Sequence, residues 1–158
     1  MTVFQRVLCP VDFSETSAKA LLFAERLVRE TGTELILLHA FDAPASYDAA
    51  GQYEPARPEI RRQFEEITPL HPEIKLERIM HAGPAGEVIC WLAQDRNCDL
   101  IVMGTHGRTG LRHLLLGSVA EYVLRHAHCP VTTVRDPSTL EPPLAEPRVM
   151  PAQAPPWT

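Results

Sequence analysis

Aliphatic runs and amphipathic stretches alternate along the chain, and their lengths assign most of the elements. Val7 and Leu8 close a short strand that ends at Cys9-Pro10. Ser14 then reads as the N-cap of a helix, because Ala20, Leu21, Ala24, Leu27 and Val28 recur at helical spacing behind it and Gly32 supplies a stop. Leu35-Ile36-Leu37-Leu38 forms a second strand. Residues 42–58 (DAPASYDAAGQYEPARP) have no period and predict a long mobile connection, so a short helix fits only between Glu59 and Ile67. From Glu73 to His81 the positions of Ile74, Leu76 and Ile79 alternate as in a strand. Gly83-Pro84 opens a helix with proline in its first turn and Val88, Ile89 and Leu92 on one face. Leu100-Ile101-Val102-Met103 is a buried strand, followed by a glycine-rich segment, a helix from about Ser118 to His126, and a last strand over 130–134. Strands without alternation, separated by helices, imply a parallel sheet covered on both faces. The predicted class is α/β, an open five-stranded parallel sheet, doubly wound.

Proline usage sets the domain boundary. Seven of the 22 residues from Pro137 onward are proline, against eight in the preceding 136, which predicts a folded domain over 1–136 and a proline-rich flexible tail over 137–158. Trp157 in that tail is a candidate docking residue, with a plain mobile end as the simpler reading. The whole chain is 45% hydrophobic and 22% charged, which excludes general disorder. A net charge of −5 argues against a nucleic-acid binder that relies on neutralising phosphates. No apolar run is long enough to span a membrane, and the start MTVFQRVLCPVD lacks the pattern of a signal peptide, so the expectation is a cytoplasmic protein without membrane partners. Cys9, Cys90, Cys98 and Cys129 form no CxxC pair and read as buried thiols.

In open parallel sheets a ligand binds beyond the carboxyl ends of the strands, where the strand order reverses. Pro10-Val11-Asp12 follows the first strand and Gly104-Thr105-His106-Gly107-Arg108-Thr109-Gly110 the fourth, so neighbouring first and fourth strands place both segments at one crevice. Glycines at 104, 107 and 110 let backbone amides approach an anion, and a helix starting at Gly117-Ser118 offers unpaired amides at its positive end. Ser118 adds a hydroxyl donor, Arg108 and His106 are placed to meet outer phosphate charge, and Asp12 can accept from a ribose hydroxyl or an adenine amino group. The pattern GxxxxGK[ST] is absent and no GxGxxG follows the first strand, which excludes a P-loop enzyme and a dinucleotide dehydrogenase. The glycine cluster alone fits turn geometry as well as a ligand.

Four segments together resemble the universal stress protein family of the UspA type: Pro10-Val11-Asp12, DLIVMGTHGRTG at 99–110, Gly117-Ser118-Val119-Ala120, and His126-Ala127-His128-Cys129-Pro130-Val131. Gly104, Gly107, Gly117 and Ser118 match the spacing of that family's ATP-binding subgroup, and the resemblance covers about residues 4–135. It implies a Rossmann-like fold of the adenine-nucleotide-alpha-hydrolase kind. It further implies that Asp12 contacts the adenosine part, with Ala40, Pro10 and Val11 lining the adenine pocket, Met103 and Gly104 beside the ribose and phosphates, and Gly107, Gly117, Ser118 and Val119 around the phosphates. Arg108 joins this expected set. Members of the family dimerise through the last strand, here 130–135. The chain departs from the pattern in its proline-rich 42–73 connection and in Thr132 and Thr133, where the family is mostly aliphatic.

His126, His128 and Cys129 form an HxHC run, but no second cluster complements it and no metal site is assigned. Arg112 and His113 face either solvent or the phosphates. Phosphoryl transfer needs a positioned nucleophile and carboxylates for a divalent ion, and the glycine segment carries no carboxylate, so no catalytic residue is assigned. The expected function is an ATP-binding regulatory or stress-response module, with or without Mg, acting as a homodimer. The alternatives are a slow ATPase or autophosphorylating enzyme, a nucleotide-free interaction protein, and an AMP or cyclic AMP binder. An adenylylating enzyme is disfavoured because residues 12–17 (DFSETS) contain no glycine.

Overall fold

The computed structural model describes residues 4–41, 57–107 and 116–136, the backbone of 45–47 and 53–55, and residue 50. In chain order its elements are β1 (Arg6–Pro10), α1 (Glu15–Thr31), β2 (Glu34–Phe41), β3 (Ala45–Tyr47), β4 (Tyr53–Pro55), α2 (Pro58–Glu65), β5 (Leu76–Ala82), α3 (Ala85–Asp95), β6 (Leu100–Gly104), α4 (Ser118–His126) and β7 (Val131–Val134). Among the described residues five strands form one parallel sheet in the order β5-β2-β1-β6-β7. The chain runs outward from β1 to β2 and β5, then crosses back to β6 and β7, so the order reverses between β1 and β6. The expected doubly wound α/β fold is the fold observed.

Both faces of the sheet are covered, which is why its strands read as continuous aliphatic runs. Val7, Cys9, Leu35, Leu37, Leu100 and Val102 pack with α1 and with Phe64 of α2. Leu8, Ile36, Leu38, Ile101 and Met103 point the other way, against α3 and α4. Helix α1 starts as expected, with Ser14 Oγ accepting the Ser17 amide at 3.1 Å, and it ends on Gly32 at φ 67, a left-handed turn that suits a residue without Cβ. At the α3/α4 crossing a methyl on Gly86 would lie 2.7 Å from the Tyr122 ring, so glycine sets how closely the two helices approach. Among the described residues no helix is long and apolar enough to cross a membrane.

Three expectations need correction. The 42–58 connection is not without structure: β3 and β4 pair antiparallel, with Ala45 opposite Pro55 and Tyr47 opposite Tyr53. Three-residue strands are too short for alternation to register as a pattern. The third sheet strand begins at Leu76 rather than Glu73, because the Ile74 amide donates to the His71 carbonyl at 3.2 Å and holds the residues after Pro72 in a turn. Pro84 sits at the N-cap of α3, in extended conformation, rather than inside its first turn. The tail over 137–158 lies outside the described residues.

Candidate functional site

The segment after β1 is built by short-range hydrogen bonds. The Val11 amide donates to the Leu38 carbonyl at 2.8 Å and so extends the β1/β2 ladder by one residue. Asp12 follows, and its Oδ1 accepts from the Ser14 amide at 3.0 Å and from Ser14 Oγ at 2.5 Å. These bonds belong to a charged acceptor and rank among the stronger ones a turn can make. Phe13, between them, has φ 66, a left-handed conformation that is strained for a residue with a Cβ.

The segment after β6 approaches from the neighbouring strand. Gly104 ends β6 under the first turn of α1, where a methyl would lie 2.9 Å from Thr16 Cγ2. At Gly107 a methyl would lie 2.5 Å from Asp12 Oδ2, so this backbone and the Asp12 carboxylate nearly touch across the crevice. The Gly117 amide donates to the Thr105 carbonyl at 2.6 Å, and a methyl on Gly117 would lie 3.0 Å from that same oxygen. This bond ties the start of α4 to the end of β6. Thr105 is buried and its Oγ1 lies 3.1 Å from His106 Nδ1.

Helix α4 begins at Ser118 without a side-chain cap, and its first backbone bond from within the helix runs from the Glu121 amide to the Gly117 carbonyl at 2.9 Å. Helix geometry therefore directs the amides of Ser118, Val119 and Ala120 out of the N-terminal end, and those three residues line a cavity of about 300 Å³. Helix α3 also starts without a side-chain cap, and its Ala85 lines the same cavity.

Ten of the eleven expected site residues line this one cavity: Pro10, Val11, Asp12, Ala40, Met103, Gly104, Gly107, Gly117, Ser118 and Val119. Arg108 lies outside the described residues, as do Gly110, Arg112 and His113. His106 lines the cavity too. Sequence reasoning missed Ser17, Ala85 and Ile89, and it gave Thr105 and Ala120, which lie within its motif segments, no role of their own. Ser17 is one turn beyond the N-cap of α1, and Gly83-Pro84 already marked the start of α3 beside a strand end, so both signals were present in the chain. Among the described lining residues Asp12 is the one carboxylate and His106 the one imidazole.

The other candidates fall into structural positions. Cys9 and Cys98 are buried, Cys90 and Cys129 are half-buried, and all four are free thiols. Burial pushes the Cys9 and Cys98 thiols up to about 12 from the ordinary 9.0, with Glu25 adding to the first and Cys129 to the second. His126 Nδ1 lies 2.9 Å from the Tyr122 carbonyl and its ring stacks on Tyr122 at 4.1 Å, which ties it to the last turn of α4.

The model of the universal stress protein family matches residues 4–135. The chain is 33% identical over 144 residues to universal stress protein MJ0531 of Methanocaldococcus jannaschii, covering 85% of this chain and 84% of that one. It is 30% identical to universal stress protein YxiE of Bacillus subtilis, covering 84% of this chain and all of the relative. The solved structure of MJ0577 superposes with a TM-score of 0.63 at 27% identity, covering 85% of this chain and 98% of that chain. Two further structures share the fold: a universal stress protein in complex with cAMP (TM-score 0.63, 23% identity, 84% and 97% covered) and one from Archaeoglobus fulgidus in complex with dAMP (0.60, 20%, 85% and 99%). A match over residues 4–135, which takes in the five-stranded sheet and the four helices of the described residues, places this chain in the universal stress protein family.

Proposed function

We propose that the chain binds an adenine nucleotide, ATP foremost, in the cavity between β1 and β6 and acts as a nucleotide-dependent regulatory module. The carrying observation is the convergence on one cavity of an uncapped α4 N-terminus, the glycines at 104, 107 and 117 and the Asp12 carboxylate. Phosphates are bound by the amides of Ser118 and Val119 at the start of α4, where dipole and unpaired donors favour negative charge, and they pass close to the backbone at Gly107 and Gly117, where no side chain stands in the way. Asp12 follows β1 at the cavity and accepts hydrogen bonds from the ribose or the base. Pro10, Val11, Ala40 and Met103 supply an apolar wall for adenine. Arg108 meets outer phosphate charge. The family fold is compatible with adenine nucleotides, since two structures that share it hold cAMP and dAMP.

Among the described residues the lining offers a divalent ion one carboxylate, Asp12, so magnesium arrives on the phosphates rather than on a protein ligand set. Binding proceeds without fast turnover, with Asp12 engaged by the nucleoside and His106 by outer phosphate charge. Bound ATP biases a partner surface, provided the free and bound states differ in affinity for it. The surface is the β7 edge of the sheet, where a second copy pairs to give a homodimer. The folded unit spans 1–136 with 137–158 as an appended tail, and the protein works in the cytoplasm.

Calorimetric titration of nucleotide-stripped protein with ATP, ADP, AMP and cyclic AMP, with and without magnesium, tests the reading. ATP binding with little product on chromatography supports it, and rapid ADP release favours the ATPase alternative. Gly117→Val fills the space beside the Thr105 carbonyl at the mouth of the amide cluster, and binding is expected to be lost; unchanged affinity refutes the site.

A further inference from the structure

The turn after β1 is also held from the side of the sheet that faces away from the cavity. Successive residues there alternate in direction: Val11 belongs to the core under α1 and Phe13 packs against that core, whereas the carboxylate of Asp12 faces Gly107. On the neighbouring strand, β2, the alternation is the same. Ala40 lines the cavity, while His39 shares the parity of Leu35 and Leu37 and faces the α1 layer.

His39 is 6% exposed, and its Nδ1 lies 2.8 Å from the Val11 carbonyl oxygen. A carbonyl only accepts, so Nδ1 carries the proton and donates. The same ring lies 4.4 Å from that of Phe13, tilted by 40°, and 6.0 Å from that of Phe64 on α2. One side chain thus grips the residue before Asp12 by a hydrogen bond and the residue after it by a ring contact. Phe13 is the residue with φ 66, and a backbone in that state persists only where its surroundings over-determine it. The imidazole supplies two of the constraints.

We propose that His39 is a positioning residue for the ligand site: it fixes the 11–13 turn from behind the sheet and so sets the direction in which Asp12 meets the ligand. The identity of that ligand rests on the nucleotide reading above; the geometry of the turn does not. A change at His39 therefore acts on affinity through Asp12, with no contact between imidazole and ligand.

His39→Leu removes the donor at nearly constant volume, and His39→Asn keeps an N–H close to the position of Nδ1. Titration with ATP is expected to show binding weakened about tenfold in His39→Leu and within about threefold of the parent in His39→Asn. In an Asp12→Ala background, His39→Leu is expected to have no further effect, since no carboxylate is left to aim. Equal losses in the leucine and asparagine variants, or an undiminished loss in the Asp12→Ala background, overturn the proposal. If His39→Leu does not fold, His39→Met carries the same comparison. Amide hydrogen exchange on ligand-free protein separates this outcome from a failure of the nucleotide reading. The Ser14 amide, bonded to Asp12 Oδ1 at 3.0 Å, is expected to exchange faster in His39→Leu and at the parental rate in His39→Asn. A parent chain that binds none of the four nucleotides ends the nucleotide reading, while faster Ser14 exchange still supports the positioning role and unchanged exchange overturns it.

Discussion

Replacing Gly107 by alanine adds a single methyl group at the point where the two loops of the cavity meet. That carbon would lie 2.5 Å from Asp12 Oδ2, whereas ordinary contacts begin near 3.4 Å, so close to 1 Å of movement is required. The carboxylate is the softer of the two partners, but it is not free to swing. Its Oδ1 holds the Ser14 amide at 3.0 Å and Ser14 Oγ at 2.5 Å, and rotation about the Asp12 side chain breaks that geometry. A hydrogen bond to a charged acceptor contributes about 1.5 to 3 kcal/mol. Where the carboxylate keeps its bonds in the turn and gives up its contact with the ligand, losing one bond's worth, about 2 kcal/mol, corresponds to roughly 30-fold in Kd. Calorimetry with ATP on Gly107→Ala is expected to return a loss of that order. The double variant Asp12→Ala/Gly107→Ala is the decisive control, because with the carboxylate gone the methyl has room and the second change costs nothing. An unchanged Kd in Gly107→Ala refutes the claim that this backbone and Asp12 act on one ligand. A full additional loss in the double variant refutes the steric route.

Other outcomes follow from the sheet edge, the tail and the core thiols. Along β7 the carbonyls of Pro130, just before the strand, and Val134 accept from the Ile101 and Thr105 amides on the β6 side at 3.0 Å, so by alternation the backbone groups of Val131 and Thr133 face away from β6; Thr133→Pro is expected to convert a dimer to a monomer by light scattering with the circular dichroism spectrum unchanged. Ending the chain after Asp136, whose carboxylate pairs with Lys19 of α1 at 2.6 Å, is expected to leave the melting temperature and ATP affinity unchanged; a drop in either shows that 137–158 belongs to the folded unit. Cys9 is fully buried with its thiol pushed up to about 12, above the 9.0 of the unfolded chain, so the unfolded state loses its proton first. Stability from this group is intact below pH 9 and falls between 9 and 12, by about 1.4 kcal/mol per pH unit; urea midpoints of Cys9→Ala against the parent are expected to converge over that window, and parallel curves contradict the burial argument.

The sheet was legible because a strand covered on both faces must be apolar at every position, and Leu35-Ile36-Leu37-Leu38 and Leu100-Ile101-Val102-Met103 can be little else. The glycines were legible only in part. Spacing marked Gly104, Gly107 and Gly117 as a group, but that Gly104 faces Thr16 and Gly107 faces Asp12 depends on β6 lying beside β1, a long-range fact. The β3/β4 hairpin escaped because its strands are three residues long; the tyrosines at 47 and 53, flanking DAAGQ and paired in register, were the available hint. His39 escaped for another reason. A histidine inside an aliphatic strand reads as a core residue, and its partner is the carbonyl of Val11, a group every residue possesses and no residue type announces.

The two uncapped helix starts at the cavity carry a consequence for how this chain can change over time. Serine, threonine or aspartate at an N-cap stabilises a helix by about 1 kcal/mol relative to alanine and by a few tenths of a kcal/mol relative to glycine. Pro84 and Gly117 offer none, although Ser14 shows that the chain uses such a cap where α1 begins. Drift toward greater thermal stability would therefore place an acceptor at 84 or 117, and its oxygen would occupy the amides that line the cavity. Variants selected only for heat resistance should accumulate at these two positions and lose the ligand as they do so. The same two positions, read across related chains, would then separate members that still bind from members that have exchanged binding for a firmer fold.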